Sequence, residues 1–93
     1  MRFIVNNKIY DTDKAELLCT FKEKWKSKTI IGTIYPLRDT NLYRTVKGVY
    51  FLTCKADYDR PCIRVINEDK AKKYLMHNNY EKYAEMFGEL EEA

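Results

Sequence analysis

An alternating segment in the first third of the chain constrains the fold most strongly. Between Thr20 and Thr29, Phe21 and Trp25 fall on one parity, and a lysine occupies every position of the other parity from 22 to 28. A repeat of two is the side-chain period of a β-strand and conflicts with the 3.6-residue period of a helix. The segment is therefore predicted to be a strand with an apolar face and a lysine face. The lysines are Lys22, Lys24, Lys26 and Lys28.

Turn-forming residues elsewhere in the chain predict antiparallel hairpins. Asn6-Asn7 lies between two short apolar runs, and Asn tolerates positive φ better than other non-glycine residues. Gly48, in Val46-Lys47-Gly48, can take the left-handed position of a turn with a bulge. The strands predicted on either side of these turns are Arg2–Val5, Lys8–Tyr10, Leu42–Thr45 and Val49–Cys54.

Two further strands and a loop complete the predicted sheet. Thr29 to Tyr35 is β-branched and aromatic but is interrupted by Gly32 and Pro36, so a bent or edge strand is expected there. A loop is expected to follow it through Asn41. Cys62 to Ile66 is predicted to be the last strand.

The last third of the chain has helical spacing. Asn67 is a good N-cap, and Glu68 and Asp69 place negative charge where the helix dipole favours it. Asn78-Asn79 interrupts the pattern, so two short helices are expected, and Gly88 ends the second. The apolar positions are Ala71, Tyr74, Leu75, Tyr80, Tyr83, Ala84 and Phe87. The fold class predicted is α+β, an antiparallel sheet of four to five short strands with two C-terminal helices packed on one face.

The size and composition of the chain indicate one domain, residues 1–93, with residues 89–93 as a frayed tail. Ninety-three residues enclose a single core, and 45% hydrophobic with 33% charged residues is typical of neither a disordered chain nor a membrane protein. The apolar run near Met1 is too short for a signal peptide, so a cytoplasmic location is expected.

Residues suited to catalysis or metal binding are sparse. Cys19, Cys54 and Cys62 show no C-x-x-C spacing, His77 is the single histidine, and no glycine-rich phosphate loop or nucleophile motif occurs. Two acidic pairs, Asp11 with Asp13 and Glu68 with Asp69, lie beside predicted helix starts and are accounted for by capping. No enzyme activity, cofactor or metal is therefore expected.

The distribution of charge permits an anionic partner, but it is also within what an ordinary solvated surface carries. Residues 1–66 carry thirteen Lys or Arg against seven Asp or Glu, while residues 67–93 carry four against seven. The lysine row would match a run of phosphates, or it would be a solvated face that protects an edge strand from aggregation. Tyrosines on strands stack on bases or anchor a protein partner, or they are half-buried packing residues. The candidate partner-binding residues are Lys22, Lys24, Lys26, Lys28, Arg44, Tyr43, Tyr50 and Tyr58.

Several segments resemble a family of short proteins carried on bacterial phages, plasmids and integrative elements. The resemblance is carried by Ile4 to Glu16, Leu42 to Leu52, Glu68 to Ala71 and Tyr80 to Leu90. It implies a mobile-element protein, and members similar to this chain are candidate inhibitors of host defence, particularly anti-CRISPR proteins.

Two functional hypotheses follow. The first is a non-catalytic phage or mobile-element inhibitor that binds a host CRISPR effector by protein–protein contact, since such an inhibitor needs a rigid interface and no catalytic group. The alternative is a small nucleic-acid-binding protein that uses the lysine-rich strand. Neither hypothesis requires a membrane.

Overall fold

A computed structural model describes residues 1–56 and 60–93 of the chain. These residues form antiparallel sheets followed by C-terminal helices, which confirms the α+β class. The strands are β1 (Arg2–Val5), β2 (Lys8–Asp11), β3 (Glu16–Lys24), β4 (Ser27–Thr29), β5 (Gly32–Ile34), β6 (Leu37–Arg44), β7 (Tyr50–Lys55) and β8 (Pro61–Ile66). The helices are α1 (Glu68–Asn78) and α2 (Tyr80–Phe87).

The main sheet has the strand order β3-β6-β7-β8, and each neighbouring pair is antiparallel. β1 and β2 form a separate hairpin. Its two loop residues, Asn6 and Asn7, have φ values of 51° and 63°, so the predicted asparagine turn is confirmed. The turn between β6 and β7 is confirmed as well, because Gly48 has a φ of 84° and the Thr45 amide donates to the Val49 carbonyl at 2.8 Å.

Both helices pack on one face of the main sheet, as predicted. Leu42 and Leu52 from the sheet and Leu75 from α1 are fully buried in one apolar cluster. The Phe21 and Tyr74 rings stack with their centroids 4.6 Å apart. Asn67 caps α1 by accepting a hydrogen bond from the Lys70 amide at 2.9 Å, as expected for an N-cap.

The opposite face of the main sheet is only partly covered. At one end of this face the buried Phe51 ring stacks on the Tyr43 ring, with centroids 5.2 Å apart. Phe51 also forms a T-shaped contact with the Tyr10 ring, with centroids 5.4 Å apart. Tyr10 lies on β2, so the hairpin of β1 and β2 covers this end. Farther along the same sheet, Lys22 pairs with Asp39 at 2.7 Å between exposed side chains.

The prediction of a single strand from Thr20 to Thr29 is wrong, because β3 ends at Lys24 and β4 begins only at Ser27. The Trp25 amide donates to the Pro36 carbonyl at 3.0 Å, and its indole Nε1 donates to Thr40 Oγ1 at 2.8 Å. Pro36, opposite this break, has no N–H to continue the ladder. β4 therefore pairs with β5 in a hairpin of its own rather than extending the main sheet.

The loop predicted through Asn41 is also wrong, since β6 already begins at Leu37. Two polar side chains of β6 find partners on β3. Besides the ion pair of Asp39, Thr20 Oγ1 donates to Asn41 Oδ1 at 3.0 Å. Cross-strand polar pairs of this kind stabilise a strand whose sequence alone does not look apolar.

The buried thiols predict a loss of stability at alkaline pH. Burial raises the pKa of Cys19 to about 11, above the ordinary value of 9.0, and burial also raises the pKa of Cys54. Because the pKa of each thiol is higher in the folded protein, the unfolded chain loses this proton at lower pH. Burial of the protonated thiols therefore stabilises the fold fully below pH 9. This stabilisation is lost as the pH rises through the pKa of the folded state. We expect the free energy of unfolding to fall between pH 9 and 10 by up to about 1.4 kcal/mol per pH unit for each such thiol.

Urea denaturation at several pH values would measure this slope. Cys19→Ala should flatten it, because the substitution removes one of the two buried thiols. Above pH 10 the slope should steepen, since burial also raises the pKa of Tyr50 and of Tyr74. An unchanged slope in Cys19→Ala would contradict the prediction.

Candidate binding surface

A hairpin of residues 26–36, called the arm below, leaves one end of the main sheet. Its strands β4 and β5 pair with each other and not with β3 or β6. Ile30 and Ile31 form the loop between them, and their side chains are 106% and 95% exposed. Ile34, Tyr35 and the neighbouring Leu37 are exposed as well. Several exposed apolar side chains within one short segment are a feature that interaction sites share.

The turn itself does not require these isoleucines. Two-residue hairpin loops favour Asn, Asp and Gly, whose backbones adopt the needed conformations at low cost. Here the turn is closed by its flanks, since Thr29 Oγ1 donates to the Gly32 carbonyl at 2.7 Å and Gly32 has a φ of 138°. Positions where a sequence departs from local preference are often functional. The Ile30 and Ile31 side chains therefore contribute little to the packing of the fold, since both lie in water.

The root of the arm is fixed by Trp25, which is only 6% exposed. Besides its hydrogen bonds to Pro36 and Thr40, its ring packs under the Arg64 guanidinium, whose carbon lies 4.4 Å from the ring centroid. The same guanidinium donates to the Lys24 carbonyl at 2.8 Å. The apolar tip therefore projects from a base that is tied to β6 and β8.

The arm and its root carry positive charge only. No Asp or Glu occurs from residue 24 to residue 38. Lys24, Lys26 and Lys28 are exposed, and none of them forms an ion pair within residues 1–56 and 60–93. Lys22, by contrast, is neutralised by Asp39 on the main sheet. The predicted lysine row is thus divided, and three of its four members lie at the root or on the first half of the arm.

The other predicted binding residues lie elsewhere. Arg44 is exposed at the far end of β6, and Tyr43 is half-buried against Phe51. Tyr50 is a correction: it is 4% exposed, because it faces the helices and lies opposite Ile66 in the sheet. It therefore belongs to the core and cannot contact a partner. Tyr58 lies outside the described residues.

The tip of the arm was not identified from the sequence. The signal that could have found it is a pair of β-branched residues directly before Gly32, at the centre of a carboxylate-free stretch. The arrangement suits insertion of Ile30 and Ile31 into a recess of a partner, with the lysines meeting anionic groups around it.

Comparisons with protein families, with curated proteins and with solved structures found no match to this chain. In the part of the chain that the structure describes, neither helix combines the length and apolar character needed to cross a membrane. The same residues contain no group of three or more His, Cys, Asp or Glu placed to hold a metal ion.

Proposed function

We propose that this chain is a non-catalytic binding protein of a mobile element that inhibits a host CRISPR effector by protein–protein contact, acting in the cytoplasm. The observation that carries the proposal is the arm, whose two exposed isoleucines project from a root fixed by Trp25. Inhibition of this kind requires an interface and no reacting group.

The physical argument rests on preorganisation. A paired hairpin with a fixed root loses little conformational entropy when it docks. Burial of each isoleucine side chain in an apolar recess contributes about 1.5–3 kcal/mol. Lys26 and Lys28 then favour a recess with acidic groups at its rim and steer the encounter.

Co-purification and plasmid interference test the proposal. The tagged chain, expressed in a host with an active CRISPR system, should retain Cas proteins and restore transformation by a targeted plasmid. A catalytically inert inhibitor should act at a stoichiometric ratio to the effector. Absence of both binding and protection across the systems of the host would overturn the proposal.

A second candidate function, direct nucleic-acid binding, is favoured by the absence of carboxylates from residues 24–38. A two-stranded ribbon with exposed lysines fits a nucleic-acid groove, and apolar wedges at such tips insert between base steps. Gel-shift titrations at low salt discriminate between the two functions. Binding that weakens steeply with salt favours nucleic acid, whereas absence of a shift leaves the protein partner.

Charge reversal on the arm is expected to separate binding from stability. Lys26→Glu with Lys28→Glu should change the free energy of unfolding by no more than about 0.5 kcal/mol, because both side chains are exposed and neither pairs with an acidic group of the described residues. The same change should weaken binding to either kind of anionic partner at least tenfold, since it reverses the local potential.

The matched control reverses two exposed lysines on α1, Lys70→Glu with Lys73→Glu, which gives the same change in net charge away from the arm. Fluorescence anisotropy with the purified partner would measure both variants. Equal loss of affinity in the two variants would mean that net charge, and not the arm, determines binding.

A further inference from the structure

A cleft of about 640 Å³ lies at the other end of the molecule from the arm. It is bounded by β2 on one side and by the turn between β6 and β7 on the other. The arm adjoins the beginning of β6 and this turn follows its end, so the length of β6 separates the two sites. The volume lies within the range of ligand pockets, roughly 300–1,000 Å³.

The charge of the cleft is mostly positive. Arg2, Lys8, Lys14 and Lys47 line it, with Asp11 as the one acidic residue among its described lining. The Asp11 carboxylate is engaged locally, since it accepts a hydrogen bond from the Asp13 amide at 3.0 Å and lies 4.0 Å from the ammonium group of Met1. The four cations are therefore left to attract an anionic ligand.

The rim of the cleft also carries apolar side chains. Ile9 and Val46 line it and are 63% and 91% exposed. A simple inorganic anion would leave these side chains in water. A ligand that alternates carboxylates with apolar groups would satisfy both features of the lining.

The backbone of β2 offers a free strand edge in this cleft. In the hairpin register, Val5 pairs with Lys8 across the two-residue turn, and Ile4 pairs with Ile9. The pair next to such a turn exchanges both hydrogen bonds, so the following pair does not, and the Ile9 N–H and C=O point away from β1. Within the described residues no backbone partner is found for these two groups. They are a donor and an acceptor available to another strand.

We infer that the cleft binds an extended acidic peptide segment of a partner protein, which adds to β2 as a third strand. Main-chain hydrogen bonds to Ile9 provide affinity in β-strand addition, and alternate side chains of the added strand provide specificity. The side chains on one face of the added strand would be carboxylates that lie near Lys8 and Lys47. The side chains on its other face would be apolar groups that contact Ile9 and Val46. This site is separate from the arm and does not depend on the function proposed for it.

The probe is a capped six-residue peptide that alternates Glu with Val, titrated into isotope-labelled protein and followed by NMR. The control peptide has Lys in place of Glu. We expect saturable shifts of the amides in β2 and in the turn between β6 and β7, with a dissociation constant below about 1 mM that rises with salt. The lysine peptide should not bind. Absence of saturable shifts with the Glu peptide, or equal binding of both peptides, would overturn the inference.

Two substitutions separate strand addition from simple charge attraction. Ile9→Pro removes an N–H that points away from β1, a position at which an edge strand tolerates Pro, whereas Ile9→Ala keeps the N–H. We expect Ile9→Pro to weaken peptide binding at least tenfold relative to Ile9→Ala. Equal binding would overturn the strand-addition geometry.

A charge variant keeps the test valid if Ile9→Pro disturbs the hairpin. Lys8→Glu with Lys47→Glu changes only exposed side chains, and it should abolish binding while the Tyr10 ring signals stay unchanged. Lys70→Glu with Lys73→Glu on α1 should bind the peptide within twofold of the unmodified chain. Full binding by the variant of Lys8 and Lys47 would overturn the role of the cleft.

Discussion

Replacing Trp25 by alanine is expected to lower the free energy of unfolding by about 3–5 kcal/mol. The indole is buried in the apolar cluster, and its removal leaves a cavity at the junction of arm and sheet. The substitution also removes the hydrogen bond to Thr40 and the surface on which the Arg64 guanidinium packs. Small domains have a total stability of only about 5–15 kcal/mol, so this variant should lose much of its folded population in moderate urea.

The control is Tyr35→Ala, an aromatic truncation in the same hairpin. Tyr35 is 60% exposed, so its loss should change the free energy of unfolding by no more than about 0.5 kcal/mol. Urea titrations followed by circular dichroism would compare the two variants. Equal midpoints would show that Trp25 does not hold the root of the arm.

The second large effect concerns the tip. Ile30→Ser with Ile31→Ser is expected to weaken partner binding at least a hundredfold, because two anchor residues at the centre of an interface each contribute about 2 kcal/mol or more. Stability should be almost unaffected, since both side chains are already in water in the free protein. The variant should therefore also lose protection in the plasmid-interference assay while it remains folded.

Ile4→Ser is the matched control, because Ile4 is an isoleucine that is 78% exposed and lies on β1, away from the arm. It should keep full affinity for the effector and full protection. If the variant of Ile30 and Ile31 binds as well as the unmodified chain, the arm is not the binding element and the proposed function loses its main support.

Elements with strong local signals were predicted correctly from the sequence. The asparagine pair at 6–7, Gly48 and the Asn67 cap each fix a backbone conformation through their own side chain or their lack of one. Such signals act within a few residues, so neighbouring residues suffice to read them. The hairpins and the two C-terminal helices follow from them.

Features that depend on distant residues could not be predicted in this way. In the lysine segment, lysines alternate with other residues on both sides of Trp25, so the sequence shows no break there. Only the pairing of β3 with β6 shows where the main sheet ends. Tyr50 illustrates the second difficulty. β7 is a central strand, buried on both faces from Tyr50 to Cys54, so alternation along it does not separate core residues from surface residues.

The arm also has a consequence for the order of folding. β3 and β6 are far apart in sequence, but the arm makes them the two sides of one long ribbon that begins at the Ile30-Ile31 turn. Pairing can proceed residue by residue from that turn, so each step closes only a short loop at a small entropic cost. The remaining neighbours in the main sheet are also consecutive in the chain. Such a topology lets the main sheet form without a search for a distant strand, and pairing between neighbouring segments favours faster folding than pairing between distant ones.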